Sequence, residues 1–282
     1  MRKNSSIEIR QLAPFCGAEI TGVDLNTADD GQLGEVVEAC AQYGVVTLPD
    51  QDLTPESQIR LANRFGRAEV HPIVNSLDGY PEVVRIHKAA GDRATFGVGW
   101  HSDNSFQESP SAVSILAARK IPPLGGDTLF ASQYAAYDAL SDGMKDLLDG
   151  MIAVHSAKYA YTTSTAMERY DSDETTISYK MSDAVEAEIE HPVIRSHPET
   201  RRKALYVNAM FTIRFKDMTE EESKPMLRFL CQHATRVEFQ CRVRWTDRAV
   251  TMWDNRCVQH YAMDDYPDYE RVLDRVTVAG KA

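Results

Sequence analysis

The first third of the chain alternates short apolar runs with stretches that repeat apolar residues at helical spacing. The short runs predict strands at residues 7–9, 18–23 and 45–48. Leu33, Val36, Val37 and Cys40 keep the spacing of one helical face. Strands and helices therefore follow each other at the start of the chain.

Capping residues mark where the helices begin. A side-chain oxygen that accepts from a free backbone N–H favours a helix start, and a glycine after the last turn favours its end. Gly44 and Gly66 are predicted to end the first two helices. The predicted starts are Asp29 or Asp30, Thr54 with Pro55, Ser132, Ser141, and Thr219 with Glu222.

The rest of the chain is predicted to be mainly strands, at residues 113–118, 127–131, 151–156, 204–208, 239–245, 249–253 and 272–278. Strands without regular helical crossovers favour an antiparallel double sheet, with helices against one sheet. We therefore predict one mainly β domain with flanking helices over residues 1–282. Gly125 and Gly126 predict a hairpin turn.

Residues 157–187 are polar, rich in Ser, Thr, Tyr and Asp, and fit neither the helical nor the strand period. Loops of this length are uncommon in compact domains and often cover a functional site. We predict a lid loop over residues 157–187.

Composition narrows the possible partners. The chain has 31 Lys and Arg against 42 Asp and Glu, a net charge of -11, which argues against a nucleic-acid or anionic-membrane surface. The cysteines are odd in number and lack CxxC or zinc spacing, which favours a reducing compartment. No run of about 18 apolar residues and no signal peptide occurs. We expect a cytoplasmic homo-oligomer, a dimer or a tetramer, that binds a small molecule.

His101 and Asp103 are the first candidates for chemistry. Residues two apart on extended backbone project to one face, so both can bind one metal ion. The spacing alone is weak, because His197 and Glu199 share it. That second pair lies in a charged proline turn, which is typical of an ordinary surface.

A segment near the C-terminus supplies a second histidine. An apolar strand runs into a polar turn at Asp254, and His260 follows. A lone histidine is more often a core residue bonded to a backbone carbonyl. Two histidines and one carboxylate, however, form the facial triad of non-haem Fe(II) oxygenases, which leaves positions for a cosubstrate and O2. The sequence therefore predicts an Fe(II) site at His101, Asp103 and His260.

Arg271 and Arg275 follow on a predicted strand, where residues four apart share one face. Buried arginines are costly unless anions pair with them, and a guanidinium can hold the far carboxylate of a 2-oxo acid through two parallel hydrogen bonds. Alternatively, both arginines lie at the surface and form ion pairs with Asp264, Asp265 or Glu270.

Together these segments resemble the taurine dioxygenase and 2,4-dichlorophenoxyacetate dioxygenase family of Fe(II)/2-oxoglutarate oxygenases. The resemblance covers nearly the whole chain, from Gly17 to Thr277. Its motifs are Trp-His-x-Asp, Gly-Gly-Asp-Thr at 125–128, Tyr-Ala-Ala-Tyr at 134–137, Trp-Asp-Asn-Arg with the later His, and Arg-x3-Arg. The family implies a double-stranded β-helix, or jelly-roll, core with flanking helices.

The resemblance also implies roles for individual residues. His101, Asp103 and His260 would ligate Fe(II), and Thr128 with Arg271 would hold the distal carboxylate of 2-oxoglutarate. O2 would be the second cosubstrate. The reaction implied is hydroxylation, with cleavage when the hydroxylated carbon bears an ether oxygen or a sulfonate.

Departures from the taurine pattern bear on the substrate. His71 matches a histidine that taurine enzymes place near the sulfonate. Val74 and Gly97 stand where those enzymes have tyrosine and asparagine. With Phe211, these residues predict a more apolar substrate pocket.

Residues 76–83, 223–225 and 241–245 resemble the aryloxypropionate-cleaving branch of the family. We therefore expect an anion with an apolar body, such as an aryloxyalkanoate, an alkyl sulfonate or an alkyl sulfate. Arg275 is expected to anchor its acidic end, or to share the inner carboxylate of the cosubstrate.

Three other functions stay open at this point. They are a taurine dioxygenase, a non-catalytic jelly-roll sensor that binds a metal or an acid, and a zinc hydrolase with the same triad. A 2-oxoglutarate clamp at Thr128 and Arg271 argues against a sensor. The absence of a neighbouring glutamate base argues against a zinc hydrolase.

Overall fold

The chain forms β-sheets flanked by helices, as seen in a computed structural model that describes residues 7–71, 74, 76–92, 97–161 and 185–280. The strands are β1 (Glu8–Gln11), β2 (Ala18–Thr21), β3 (Val45–Leu48), β4 (Ala68–Glu69), β5 (Val83–Lys88), β6 (Val113–Lys120), β7 (Thr128–Ser132), β8 (Ile152–His155), β9 (Ile189–Pro192), β10 (Ile194–Ser196), β11 (Lys203–Leu205), β12 (Thr212–Phe215), β13 (Gln240–Val243), β14 (Val250–Asp254), β15 (Val258–Ala262) and β16 (Arg271–Val278). The helices are α1 (Asp30–Tyr43), α2 (Pro55–Phe65), α3 (Gln133–Asp138), α4 (Asp142–Leu148), α5 (Lys158–Tyr161) and α6 (Glu220–Ala234), with a 3-10 turn at Val237–Phe239.

The largest sheet has eight strands in the order β1-β2-β3-β14-β6-β16, and the far edge of β16 pairs with β5 and with β4. Its strand pairs are antiparallel except for β2 with β3. A second sheet, β13-β7-β15, is antiparallel throughout. Two smaller sheets, β12-β8-β9 and β10-β11, complete the described strands.

Alternating side chains place the large sheet between the helices and the second sheet. Ile115 and Met252 belong to one core with the apolar residues of α1 and α2. Their chain neighbours Leu116 and Trp253 belong to another core with residues of β7, β13 and β15. Because successive residues of a strand point to opposite faces, this division shows that both faces of the large sheet are covered.

The predicted helix starts are confirmed. Asp29 and Thr219 each form a capping box, in which the cap side chain and the residue three positions later exchange hydrogen bonds. The other predicted caps, Thr54, Ser132 and Ser141, also accept from backbone N–H groups of their helices.

The hairpin turn predicted at Gly125 and Gly126 is wrong. The strand before them, β6, pairs with β14 and β16, whereas the strand after them, β7, pairs with β13 and β15. The two glycines therefore cross from one sheet to the other. Both have positive φ, 79° and 71°, and a Cβ on Gly125 would come within 2.7 Å of the backbone oxygen of Asp265, so the crossing requires glycine.

The predicted lid at residues 157–187 falls largely on residues 162–184, which lie outside the described residues. Its described ends are α5 and the residues around Val185. Ala157 and Val185 belong to one apolar cluster with Phe106 and Phe211. The lid itself stays a prediction.

No helix in the described part of the chain is long and apolar enough to cross a membrane.

Candidate active site

His101 and His260 are held side by side by backbone pairing. They form an isolated antiparallel bridge, in which His101 N donates to His260 O at 3.2 Å and His260 N donates to His101 O at 2.8 Å. Residues opposite each other in such a pair project to the same face, and the two ring centroids are 4.1 Å apart. A residue on a loop is thus fixed against β15.

Asp103 completes a compact cluster with these histidines. The possible ligand atoms of His101, Asp103 and His260 all lie within 4.8 Å of one another. The three residues are 3%, 4% and 6% exposed. The structure therefore brings together the three residues that the sequence singles out as a metal site.

The electrostatics of the cluster suit a cation. Burial alone would raise the pKa of Asp103, but the Arg275 guanidinium and the hydrogen bond from Ser114 lower it well below its usual value. Burial, with the neighbouring His101, lowers the pKa of His260 to about 3, and burial also lowers the pKa of His101. The site at neutral pH therefore holds one carboxylate and two neutral imidazoles, which are the protonation states that bind metal ions.

Hydrogen bonds orient His101 and Asp103. His101 Nδ1 lies 2.8 Å from the carbonyl oxygen of Gly99, and because that oxygen can only accept, Nδ1 carries the proton and Nε2 keeps its lone pair. Asp103 Oδ2 accepts from Ser114 Oγ at 2.6 Å, and Oδ1 accepts from Arg275 Nη1 at 3.2 Å. Such outer partners fix the direction in which ligands point.

Asn255 is a further positioning residue. Its Oδ1 accepts from the backbone N of Asp103 at 3.1 Å and from Trp253 Nε1 at 2.9 Å. Its Nδ2 donates to Ser114 Oγ at 2.9 Å, the hydroxyl that bonds Asp103. The sequence offers this residue only as part of a polar turn, and nothing in the pattern shows that the turn folds back onto Asp103.

Asn255→Ala is expected to weaken metal binding about 10- to 100-fold, because loss of an outer-shell partner lets the ligand move. It should also lower the free energy of unfolding, since buried N–H groups of Asp103 and Trp253 lose their acceptor. Mn(II) titration and thermal unfolding measure the two effects. Gln58→Met, which removes a buried amide on α2 that bonds Ile115 and Asp274 backbone oxygens, should lower stability alone. A metal affinity that is equal in both variants would contradict the positioning role.

The interpretation of His197 as an ordinary surface residue is wrong. His197 is 2% exposed, and its Nε2 lies 2.9 Å from Asp254 Oδ2. Arg256 also bonds Asp254, with Nη2 at 2.5 Å from Oδ2, and reaches Glu199. Proline and charge in the sequence predict a surface turn, but His197 bonds Asp254, so the turn is folded against the end of β14.

His197, Asp254 and Cys257 could also hold a metal ion by geometry. Their chemistry argues otherwise, since Asp254 is already neutralised by Arg256, and burial raises the pKa of the Cys257 thiol well above its usual value. We interpret these residues as a structural cluster that holds the turn containing Asn255 in place.

Arg271 and Thr128 both border Trp245, a residue of the core between the two sheets. Arg271 is 4% exposed, and its guanidinium carbon is 5.6 Å from the ring centroid of Trp245. Trp245 Nε1 donates to Thr128 Oγ1 at 3.0 Å, so the Thr128 hydroxyl proton remains for another acceptor. A Cβ on Gly126 would come within 3.3 Å of Arg271 Cδ, so this glycine lets the chain pass close to the arginine.

The alternative that Arg271 and Arg275 are surface residues paired with Asp264, Asp265 or Glu270 is wrong. Both arginines are buried. Within the described residues Arg271 forms no ion pair, and the ion pair of Arg275 is with Asp103. Glu270 pairs instead with His87 and Lys120.

The residues predicted to line the substrate pocket are buried near His101 and Arg275. Phe211 presents its ring to His101 at 6.0 Å and 83°. Val74 packs with Val84, which lies directly opposite Arg275 in the sheet. His71 Nδ1 accepts from Val74 N at 2.9 Å, so His71 and Val74 are held as one unit near Arg275.

Comparison with known proteins identifies the class. Residues 8–277 match the model of the taurine catabolism dioxygenase TauD, TfdA family. The chain is 34% identical to the alpha-ketoglutarate-dependent sulfate ester dioxygenase of Pseudomonas putida, over 98% of this chain and 90% of that protein. It is 31% identical to the alpha-ketoglutarate-dependent 2,4-dichlorophenoxyacetate dioxygenase of Cupriavidus pinatubonensis, over 90% and 91%.

A solved structure agrees. The crystal structure of a taurine dioxygenase from Burkholderia xenovorans superposes with a TM-score of 0.82 at 32% identity, over 98% of this chain and 90% of that one. The protein is an oxidoreductase, a dioxygenase that uses Fe(II), 2-oxoglutarate (alpha-ketoglutarate) and O2. The chain belongs to the TauD, TfdA family.

Proposed function

We propose that His101, Asp103 and His260 hold the Fe(II) ion of this dioxygenase. The observation that carries the proposal is the buried cluster of one ionised carboxylate and two neutral imidazoles within 4.8 Å. Two histidines and one carboxylate would hold the ion and would leave positions on it for a chelating cosubstrate and O2.

The residues fit the ion chemically. His101 Nε2 keeps its lone pair because Nδ1 donates to Gly99. His260 Nδ1 has no hydrogen-bond partner in the described part of the chain. Contacts with described protein groups therefore still leave the imidazole of His260 able to bind a metal ion. When bound, the iron supplies, with 2-oxoglutarate and O2, the oxidising chemistry that hydroxylates the substrate.

The chain's own contribution is to hold its ligands and exclude water. Arg275 keeps Asp103 ionised in a buried setting, where an isolated carboxylate would be costly. The Asn255 and Ser114 hydrogen bonds fix the position of Asp103 before any ligand binds. Such preorganisation lowers the cost of assembling the reactive complex.

Arg271 and Thr128 are proposed to bind the distal carboxylate of 2-oxoglutarate. Arg271 is buried with no ion pair among the described residues, and its Nε has no hydrogen-bond partner there. A buried guanidinium in this state needs an anion. The Thr128 hydroxyl is oriented by Trp245, whose ring also contacts Arg271, so both groups can address one carboxylate.

The large sheet and the β13-β7-β15 sheet are proposed to be the two faces of a double-stranded β-helix within one domain over residues 1–282. The shared core between them supports this, because Leu116, Trp253 and Leu273 pack with Phe130 and Val243. The iron ligands and both arginines lie in or beside this space.

The substrate is proposed to be a small anion with an apolar body. Arg275 bonds Asp103, so its guanidinium lies beside the metal carboxylate and within reach of an anion bound there. Phe211 lies beside His101, and Val74 packs with Val84, which is opposite Arg275 in the sheet. These apolar side chains would contact the body of the substrate, and His71, which bonds Val74 N, would assist Arg275. The two relatives named above act on a sulfate ester and on an aryloxyacetate, which supports an alkyl sulfate, alkyl sulfonate or aryloxyalkanoate here.

The expected products follow from the position of hydroxylation. If the hydroxylated carbon bears the ether or ester oxygen, or the sulfonate sulfur, the product is unstable, and the C–O or C–S bond breaks. An aldehyde or ketone is then released together with the phenol, sulfate or sulfite.

Kinetics with a matched substrate set test this proposal. The acid of an aryloxyalkanoate should be preferred over its neutral amide by more than about tenfold, because a buried charge-assisted hydrogen bond contributes about 1.5–3 kcal/mol. Succinate release with alkyl sulfates, alkyl sulfonates and taurine completes the comparison. Equal turnover of the amide would remove Arg275 as the anchor. A large preference for taurine would refute the apolar pocket and favour the activity named for the Burkholderia xenovorans structure.

A further inference from the structure

We propose that Lys88 is a second cation for the distal carboxylate of the cosubstrate, and that it restricts the site to dicarboxylic 2-oxo acids. The inference rests on the proposed binding of 2-oxoglutarate at Arg271 and Thr128. It adds a residue that no sequence motif singles out.

The position of Lys88 in the sheet places it beside Arg271. Lys88 is the last residue of β5, and its Cα partner on β16 is Arg271. Residues directly opposite each other in an antiparallel pair project to the same face, with their Cβ atoms about 4.5–5.5 Å apart. The Lys88 side chain therefore shares the face of Arg271.

The surroundings of the Lys88 ammonium show the same relation. Lys88 is 3% exposed, and its Nζ is 4.9 Å from the ring centroid of Tyr266. The guanidinium carbon of Arg271 is 5.9 Å from the same centroid. One buried aromatic ring thus borders both cations.

Within the described part of the chain, no carboxylate lies in ion-pair contact with Lys88 or Arg271. Lys88 Nζ and Arg271 Nε are buried and make no hydrogen bond there. Asp127 and Asp265 act on the Arg271 guanidinium through their negative charge, but both carboxylates already accept hydrogen bonds from other groups. Asp127 Oδ2 accepts from Arg242 at 2.5 Å, and Asp265 Oδ1 accepts from Gly126 N at 2.7 Å.

Two like charges directly opposite on neighbouring strands repel each other, and a buried ammonium without a partner is costly. The pair is therefore explained by an anion that binds between them. A carboxylate offers enough lone pairs to accept from the guanidinium, the ammonium and the Thr128 hydroxyl together. The distal carboxylate of 2-oxoglutarate is the anion that the proposed function brings to this place.

Binding measurements on the Mn(II)-loaded protein without turnover test this role. The ligands are 2-oxoglutarate and 2-oxovalerate, which has the same chain length but a methyl group in place of the distal carboxylate. Lys88→Met keeps the length and apolar stem of the side chain and removes its charge. This substitution should weaken the binding of 2-oxoglutarate by at least about tenfold, since it removes a charge-assisted hydrogen bond. It should leave the affinity for 2-oxovalerate unchanged.

Controls separate this role from a structural one. Lys120→Met removes a lysine from the strand on the other side of β16, where Lys120 is 62% exposed and paired with Glu270, and should leave both affinities unchanged. Unfolding of the ligand-free Lys88→Met protein should occur at the wild-type temperature or above it, because a buried unpaired cation is removed. Lys88→Gln serves the same comparison if the methionine variant does not fold.

The outcomes are distinct. Equal loss of affinity for both 2-oxo acids would mean that Lys88 only supports the pocket, and unchanged 2-oxoglutarate affinity in Lys88→Met would also overturn the inference. If Arg271→Ala weakens the binding of 2-oxoglutarate while Lys88→Met does not, only the proposed role of Lys88 fails. If neither variant does, the proposed cosubstrate site fails as well.

Discussion

Replacement of His260 by glutamine is expected to abolish turnover and to remove most of the affinity for Fe(II). The ring of His260 packs against Trp253 and Phe130, so alanine would also leave a cavity, whereas glutamine fills part of the space. Loss of one of three protein ligands leaves the ion with a carboxylate and a single imidazole. Metal titration, turnover and thermal unfolding on the same preparations separate loss of the site from loss of the fold.

His87→Gln is the matched control. His87 is a half-buried histidine on β5 that pairs with Glu270, with a side chain 32% exposed, and it lies outside the proposed site. The His87→Gln protein should keep the wild-type metal affinity and turnover. A His260→Gln protein that folds and retains both would refute the proposed triad.

The second large effect is expected at Arg271. Arg271→Ala should raise the 2-oxoglutarate requirement about 30-fold or more, because loss of one partner of a buried charge pair costs roughly 2–5 kcal/mol. Arg271→Lys keeps the charge but not the planar guanidinium group. Its 2-oxoglutarate requirement should therefore lie between those of Arg271→Ala and the wild type. The half-saturating 2-oxoglutarate concentration, measured at saturating substrate, reports the effect.

Arg248→Ala is the control for loss of an arginine, since Arg248 is 60% exposed and pairs with Asp50 at the surface. It should leave the half-saturating concentration unchanged. If Arg271→Ala instead changes only the requirement for the primary substrate, Arg271 holds that substrate and the assignments of Arg271 and Arg275 must be exchanged.

Local chemistry explains what the sequence could predict. The starts of α1, α2 and α6 depend on side chains that bond backbone atoms three residues away, so the signal lies within a few residues. His101 and Asp103 are likewise two positions apart, and β16 carries both arginines on one face. Each of these features is short-range, and each agrees with the structure.

Pairing between strands that are distant in the sequence explains the features that the sequence does not predict. β15 contains Gln259 and His260, and its polar sequence does not read as a strand, yet it is buried because β7 pairs with it. The two glycines at 125 and 126 predict a hairpin, because nothing in the local sequence shows that β6 and β7 pair with different strands. Lys88 and Asn255 acquire their positions only when distant strands meet.

The most direct test of the iron site is spectroscopic. Anaerobic addition of 2-oxoglutarate to the Fe(II)-loaded protein should produce a weak visible charge-transfer band, since the cosubstrate would chelate an iron ion with open positions. The band should be absent from folded His260→Gln protein and should persist in His87→Gln protein. A band of wild-type intensity in His260→Gln, or none in the wild type, would contradict an Fe(II) site formed by His101, Asp103 and His260.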